Sequence, residues 1–366
     1  MKVPLEIQGV DDRATDSAPA QFCASALRAF HNAEQAVSSP EARYFAIAGH
    51  IIRLRFAGTD LLPFITPALE HLAAQPTPTP ALSICIWDSA STKVPMPPPP
   101  WTREDYSNRG EIRGYANQRI HTAFQLGPDI LSVLDLRENL AVLWAARAEQ
   151  LSTYERSMPV RTILHWWMRS RGIQLAHAGA VGTRAGGVLL TGKGGSGKST
   201  AALACLQAGM QYAGDDYVLL GLDGGPRVHS LYNTGKLDRE HVKRFPGLLK
   251  GVANPSHPSS EKALVFLPDL FPEGFFGGFP VRAILVPKVT GGRKTVMRRI
   301  PAVEGLSALA PTTIRQLAWA DETDFQFMAR FAKTVPSFRM ELGEDIAGIP
   351  DAVMKLLDEL EAGRAC

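Results

Sequence analysis

Four glycines concentrate in the nine residues GKGGSGKST at 192–200. The segment follows the apolar run GVLLT at 187–191 and leads into 198–208, which has the composition of a helix. A glycine-rich turn between a strand and a helix that matches G-x-x-x-x-G-K-[ST] is typical of a loop that wraps a phosphate group. The pattern therefore predicts an α/β core in which an apolar strand runs through this loop into a helix.

The chemistry of such a loop comes from its backbone amides and from two side chains. Glycines adopt positive backbone angles and leave the amides open to phosphate oxygens, and the start of the following helix adds the positive end of its dipole. Lys198 would neutralise the β and γ phosphate oxygens, and the Ser199 hydroxyl would ligate magnesium. We therefore expect a nucleoside triphosphate, taken as ATP, and Mg²⁺ to bind at Gly192, Gly194, Gly195, Ser196, Gly197, Lys198, Ser199 and Thr200.

Two adjacent carboxylates, Asp215 and Asp216, come after the predicted helix and directly before an apolar strand at 217–220. From that position they can face the loop and its metal. Phosphoryl transfer needs one carboxylate on magnesium and another that accepts the proton of the attacking hydroxyl. The pair therefore favours phosphoryl transfer, and the sequence leaves open which aspartate has which role.

Length and charge limit the remaining possibilities. The 366 residues suffice for two domains, and 45% hydrophobic content is typical of a globular protein. A net charge of +3 is too small to predict a nucleic-acid or membrane partner. No apolar run has the length of a signal peptide or a membrane span, and the four isolated cysteines predict neither a disulfide scaffold nor structural zinc. We expect a cytoplasmic protein.

The pattern of apolar residues predicts three segments. Residues 1–20 are expected to be a flexible lead-in, 21–160 a smaller α+β domain, and 161–366 the α/β catalytic domain. In the α+β domain we expect helices at 21–36 and 61–74 and strands at 44–56 (a pair turning at 49–50), 82–88, 112–124 and 130–136, followed by a helix at 140–171. In the catalytic domain we expect further strands at 175–181 and 281–289 and a helix at 349–362.

The sequence also resembles a known family. The segment His177-Ala-Gly-Ala, the loop at 192–200 and the later GDDYVLL together resemble the catalytic domain of bacterial HPr serine kinase/phosphorylase, which is similar to the nucleotide core of phosphoenolpyruvate carboxykinase. Within that group the chain is most similar to serine kinases associated with peptide modification, including kinases of lasso-peptide precursors. The resemblance covers about 175–350 and implies a P-loop fold of the HPr kinase type.

The resemblance assigns roles to individual residues. It implies that His177 corresponds to the family's active-site histidine and that Lys198, Asp215 and Asp216 act in catalysis. It also implies that the metal ligands are Ser199 and one aspartate, which we take to be Asp216. The segment 230–238 is similar to a lysine-leucine segment of the related serine kinases, so that Lys236, with Lys262 and Arg282, is a candidate contact for phosphate or substrate.

These observations predict an ATP- and Mg²⁺-dependent kinase that phosphorylates a serine-type hydroxyl of a peptide or small protein. A nucleotide-sensing regulatory module and a carboxykinase-like kinase of a small metabolite are the alternatives. The glycine-rich, glutamate-containing second signature of true HPr kinases is absent downstream, so the resemblance does not extend to HPr as the acceptor. The acceptor's identity and whether the chain forms a homo-oligomer are left open.

Overall fold

A computed structural model describes residues 17–255 and 261–364. The lead-in predicted at 1–20 falls mostly outside the described residues, and a helix already begins at Ala18. The N-terminal half contains α1 (Ala18–Ala36), β1 (Glu41–Ile47), β2 (His50–Ala57), α2 (Leu62–Ile65), β3 (Leu82–Asp88), α3 (Ser89–Thr92), β4 (Ile120–Gln125), β5 (Ile130–Asp135) and β6 (Leu140–Ala145).

In the described part of the N-terminal half, the strands form a six-stranded mixed sheet in the order β1-β2-β3-β6-β5-β4. Helix α1 covers one face, because Phe22, Ala26, Phe30 and Ala33 recur on one side of it and are buried against the sheet. The predicted helix, the hairpin at 44–56 and the strands at 82–88 and 130–136 are confirmed. The strand predicted at 112–124 begins only at Ile120, because the chain turns before it at Gly114, which has a φ of 81°. The helix predicted at 61–74 is a short α-helix followed by a 3₁₀ turn, Pro67–Leu72.

The helix predicted at 140–171 is wrong in its first part. Residues Leu140–Ala145 form β6, which pairs with β3 on one side and with β5 on the other. This strand is buried on both faces and reads LAVLWA, a continuous apolar run whose periodicity cannot distinguish a central strand from a buried helix. The helical part begins only at α4 (Thr153–Ser157) and continues in α5 (Arg161–Arg169).

The C-terminal half alternates strands and helices. Its elements are β7 (Gln174–Ala176), β8 (Gly179–Thr183), β9 (Gly186–Leu190), α6 (Lys198–Gln207), β10 (Gln211–Gly214), β11 (Val218–Gly221), β12 (Arg227–His229), β13 (Thr234–Leu237), α7 (Arg239–Val242), α8 (Pro246–Leu249), β14 (Ala263–Phe266), β15 (Gly278–Val289), β16 (Val296–Ile300), α9 (Ala302–Ile314), α10 (Glu322–Thr334), β17 (Ser337–Leu342) and α11 (Ile349–Glu361).

Among the described residues of this half, nine strands form one mixed sheet with a path β10-β8-β9-β15-β12-β11-β7, and β17 and β16 extend it from β15. Helices α6 and α11 pack in one apolar cluster and α9 and α10 in another, so that the sheet lies between two helical layers. This is the α/β arrangement expected from the sequence. The strand predicted at 175–181 is divided into β7 and β8, which have different neighbours.

The two halves share one hydrophobic cluster. It contains Leu54 and Ile84 of the first sheet, Trp166 of α5, and Leu219 and Leu317 of the second half. The indole nitrogen of Trp166 donates a hydrogen bond to the Ala318 carbonyl at 2.9 Å. Among the described residues, no helix combines the length and the apolar character needed to cross a membrane.

Candidate functional site

The glycine-rich loop lies between β9 and α6, as its sequence predicts. Thr191 fixes its start by donating from its backbone amide to the Leu285 carbonyl of β15 at 2.9 Å. Gly192, Gly195 and Gly197 have φ values of 144°, 77° and 102°, which other residues rarely adopt. A Cβ added at Gly194 or Gly195 would meet nothing within 4 Å. One face of the loop is therefore open to a ligand.

Lys198, the first residue of α6, spans the loop. Its ammonium donates to the Gly192 carbonyl at 2.6 Å and to the Lys193 carbonyl at 3.3 Å. The side chain is buried, and burial lowers the pKa of Lys198, while Asp216 and Asp215 oppose that shift. The ammonium is thus held by two loop carbonyls and feels the charges of two nearby carboxylates.

Those carboxylates lie in the short connection between β10 and β11, and each of these two strands pairs with a different strand. Strand β7 pairs with β11, with Ala176 opposite Val218, and β8 pairs with β10, with Ala180 opposite Gly214. The β8–β10 ladder shifts register between Tyr212 and Gly214, and from Gly214 onward its register is that of the β7–β11 pairs. The residues between the two ladders therefore also lie opposite each other. Gly179 faces Asp215 so closely that a Cβ on the glycine would lie 3.1 Å from the Asp215 Cα.

Asp215 is buried, with 3% of its surface exposed, and neither carboxylate oxygen makes a hydrogen bond of ordinary geometry within the described residues. Burial, with the neighbouring charge of Asp216, raises the pKa of Asp215 to about 6. Lys236 and the Ser199 hydroxyl lie near enough to reduce this shift. A buried carboxylate without hydrogen-bond partners is unfavourable, so this position is suited to a cation.

Asp216 has the opposite environment. Its carboxylate accepts from Lys236 Nζ at 2.5 Å and contacts His177 Nε2 at 3.0 Å. Burial favours its neutral form, but the charge of Lys236 and the bond to His177 outweigh burial and hold the pKa of Asp216 well below its usual range. Asp216 is therefore ionised at neutral pH, whereas Asp215 is the carboxylate that resists ionisation.

His177 is positioned by residues at the end of α9. Its backbone amide donates to Thr313 Oγ1 at 2.9 Å, and its Nδ1 lies 3.3 Å from Gln316 Nε2. The Gln316 carbonyl oxygen accepts from the Tyr217 hydroxyl at 2.7 Å, which leaves the amide nitrogen to donate to His177. Nδ1 then accepts, and Nε2 carries the proton that it donates to Asp216.

A cavity of about 210 Å³ connects these groups. Of the residues predicted from sequence, its wall contains Gly194, Gly195, Gly197, Lys198, Ser199, Thr200, His177, Asp215, Asp216, Lys236 and Lys262. His241 and Arg244 also line it, and neither was singled out from the sequence because a lone exposed cation has no local signature. The described residues contain no group of three or more His, Cys, Asp or Glu side chains placed to hold a metal.

Three predicted residues lie elsewhere. Gly192 and Ser196 line an adjoining cavity of about 770 Å³ on the other face of the loop. Arg282 does not reach either cavity: it donates to the Ala185 carbonyl at 3.0 Å, in the turn between β8 and β9. The sequence also suggests that the loop NPSHPSSE at 254–261 covers the active site, and this loop falls largely outside the described residues.

No protein-family model matches this chain, and no curated protein matches it. Among solved structures, the HPr(Ser) kinase/phosphatase from Coxiella burnetii is similar over 51% of this chain and 99% of its own, with 15% sequence identity and a TM-score of 0.30. A TM-score this low does not establish a common fold. Membership of the HPr kinase group therefore stays a prediction from the sequence.

Proposed function

We propose that this chain is a magnesium-dependent kinase that transfers the γ-phosphoryl group of ATP to a serine-type hydroxyl of a peptide or small protein. One observation carries the proposal: two adjacent aspartates beside an open glycine-rich loop have opposite environments. Asp215 is buried next to Ser199 and makes no hydrogen bond of ordinary geometry with any described residue, and Asp216 is ionised between Lys236 and His177. Phosphoryl transfer requires both kinds of carboxylate, one for the metal and one for the acceptor.

The loop supplies the phosphate site in this proposal. Gly194, Gly195 and Gly197 line the cavity together with Lys198, at the start of α6, and their amides would bind the phosphate oxygens. Lys262 and Arg244 line the same cavity and add positive charge to it. Four negative charges on the triphosphate require such compensation once they leave water.

The metal ligands in this proposal are Ser199 and Asp215. Magnesium bound to phosphates takes only one or two protein carboxylates, so a larger acidic cluster is not required. Within the part of the chain that the structure describes, the Asp215 oxygens make no hydrogen bond of ordinary geometry and have the Ser199 hydroxyl nearby, whereas both Asp216 oxygens are already engaged. This reverses the assignment of Asp216 as metal ligand that we made from the sequence. When bound, the metal neutralises charge on the β and γ phosphates.

Asp216 then orients the acceptor. The acceptor hydroxyl donates a hydrogen bond to Asp216, its oxygen attacks the γ phosphorus, and the bond to the bridging oxygen of ADP breaks. The proton passes to Asp216 late, because a loose transition state leaves the hydroxyl protonated until the new bond is well formed. Orientation therefore contributes more than basicity, which fits the depressed pKa of Asp216.

Transfer of ³²P from γ-labelled ATP to a library of synthetic serine peptides tests the proposal. We expect Mg²⁺-dependent labelling of a subset of peptides. Asp216→Asn should lower labelling about 100-fold or more, the size typical of losing a group that orients the acceptor hydroxyl and takes its proton. Asp223→Asn is the matched control, since Asp223 lies in an exposed turn before β12. It should label peptides at the rate of the unaltered chain.

Two results would overturn the proposal. Rapid ATP hydrolysis that is the same with and without peptides, in both the unaltered chain and Asp216→Asn, would indicate an ATPase. Failure of the protein to bind labelled ATP with Mg²⁺ would show that the loop is not a nucleotide site.

A further inference from the structure

A second positively charged group is buried near the reaction site, and the mechanism above does not use it. Arg161, the first residue of α5, is 8% exposed. Its Nη1 donates to the hydroxyls of Tyr154 and Tyr217, and its guanidinium lies 4.7 Å and 5.2 Å from the centres of their rings. No carboxylate pairs with it among the described residues. Buried charges are rarely left without an opposite charge.

The free edge of the guanidinium faces a cavity. Within the described residues, Arg161 donates only from Nη1, so Nε and Nη2 have no hydrogen-bond acceptor. Both atoms keep some accessible surface, because the fully buried polar atoms without partners include neither of them. Arg161 lines a cavity of about 40 Å³ between the first sheet and the α4–α5 segment. On the same measure a water molecule needs about 10–15 Å³, so a small anionic group fits.

The start of α5 adds to the positive potential there. Val160, Arg161 and Thr162 line the cavity, and α5 has no side-chain cap at its N-terminus. The first amides of a helix have no partners within the helix, and they attract negative charge. Val160 has a φ of 50°, an unfavourable value for a β-branched residue. This strained turn sets the direction in which α5 begins.

This cavity adjoins the reaction site through a shared wall. Tyr154 and Met158 line it, and both contact Lys236: the ammonium lies 5.0 Å from the Tyr154 ring centre and 3.9 Å from the Met158 sulfur. Lys236 in turn pairs with Asp216. Among the described residues, only this layer of side chains, Tyr154 and Met158 against Lys236, lies between the Arg161 cavity and the reaction site.

We infer that Arg161 and the start of α5 bind a carboxylate of the phosphoryl acceptor. The inference rests on the proposed kinase function for the identity of the molecule that carries the carboxylate. Nε and Nη2 form the planar fork that matches two carboxylate oxygens. The chain's own Glu155 lines the same cavity, but its carboxylate accepts from the Ser152 amide and hydroxyl and is not paired with Arg161.

A carboxylate fits better than a phosphate. The cavity is small, and most of its lining is apolar, including Ile65, Ile130 and Leu143. A phosphate dianion would leave several oxygens without donors in such surroundings, and each buried acceptor left unsatisfied is unfavourable. A carboxylate needs only the fork of Arg161 and the amides at the start of α5.

The first experiment measures binding of succinate, with inorganic phosphate in parallel, to the full chain without nucleotide by isothermal titration calorimetry. We expect succinate to bind more tightly than phosphate, and Arg161→Met to weaken succinate binding at least 10-fold. Arg156→Met is the matched control: Arg156 also lies over an aromatic ring, Phe64 at 5.3 Å, but does not line the cavity. It should bind succinate as the unaltered chain does.

The second experiment separates the two sources of a carboxylate. Serine peptides are compared with a free or amidated C-terminus, and with an internal Glu or Gln, in the phosphotransfer assay. We expect one of the two neutral replacements to reduce labelling at least 10-fold, and Arg161→Met to reduce labelling of the carboxylate peptide to that level. Arg161→Met should reduce labelling of the neutral peptide by a much smaller factor than labelling of the carboxylate peptide.

The outcomes distinguish the two proposals. Equal succinate affinity in the unaltered chain and in folded Arg161→Met, or preference for phosphate, would overturn the carboxylate site and leave the kinase proposal intact. Succinate binding that depends on Arg161, combined with no labelling of any peptide, would support the site and overturn the kinase. If Arg161→Met fails to fold, Arg161→Lys, which keeps the charge but loses the fork, should show the same loss of succinate binding.

Discussion

At the scale of single residues, the buried carboxylate of Asp215 makes the folded state less stable when it is ionised. A carboxylate without hydrogen-bond partners in a buried position destabilises the folded chain once it is ionised. Its folded-state pKa of about 6 exceeds the value of 3.8 for an exposed aspartate. At neutral pH the group is ionised in both the folded and unfolded states, so the full penalty is present; it decreases as pH falls below about 6 and is gone below about 4.

We therefore predict that Asp215→Asn stabilises the protein in the absence of ligand. The gain in the free energy of unfolding should be on the order of 1 to 3 kcal/mol at pH 7.5 and should vanish near pH 4. The same variant should lose Mg²⁺-dependent binding of ATP. Urea unfolding at both pH values and ATP titration with and without Mg²⁺ measure the two effects. A destabilised variant at pH 7.5, or one that still needs Mg²⁺ to bind ATP, would contradict this role.

At the scale of elements, the loop between β9 and α6 depends on backbone angles that glycine permits. Gly197 has a φ of 102°, and a Cβ there would collide with the Leu342 side chain of β17. Gly197→Ala should lower the free energy of unfolding by about 1 to 2 kcal/mol because of the left-handed backbone. It should also weaken ATP binding at least 10-fold, since the loop amides would shift.

Gly194→Ala is the matched control for stability. Its Cβ would meet nothing within 4 Å, so the free energy of unfolding should change by less than about 0.5 kcal/mol. Urea unfolding of both variants, with ATP titration by calorimetry, makes the comparison. Equal stability of Gly197→Ala and Gly194→Ala would show that the loop conformation is not the one described.

Some parts of the site can be predicted from local sequence and others cannot. The loop at 192–199 could be predicted because its glycines, lysine and serine act within one strand-turn-helix unit. The contact of His177 with Asp216 could be anticipated only through the family resemblance, since it forms between strands far apart in sequence. Gln316, which orients His177, has no local signal at all. Arg161 was hidden within a run predicted to be one long helix.

At the scale of the whole molecule, the shared hydrophobic cluster connects the first sheet to the second half. Other hydrogen bonds join the halves in addition to the one from Trp166 to Ala318. The backbone amide of Trp319 donates to Glu111 at 2.6 Å, and the backbone amide of Asn233 donates to the Ala68 carbonyl at 3.0 Å. We therefore predict one cooperative thermal transition for the full chain, and an unfolded or aggregated fragment when residues 151–366 are produced alone.

Calorimetry of the full chain and circular dichroism of the fragment check this prediction. Two separate transitions, together with a folded fragment, would show that the division at 160 that we expected from the sequence separates independent domains. A single transition with an unfolded fragment would show that the N-terminal half is part of the structural support of the site.

The interrupted strand pairs that bring His177 to Asp216 have one more consequence. Because His177 lies between β7 and β8 and Asp216 lies between β10 and β11, the two side chains reach each other only when both ladders have formed. The backbones of Gly179 and Asp215 are so close that the alignment of the two ladders cannot shift without a steric clash. Substitutions at this crossing should therefore lower the amount of folded protein as well as the activity of the protein that folds.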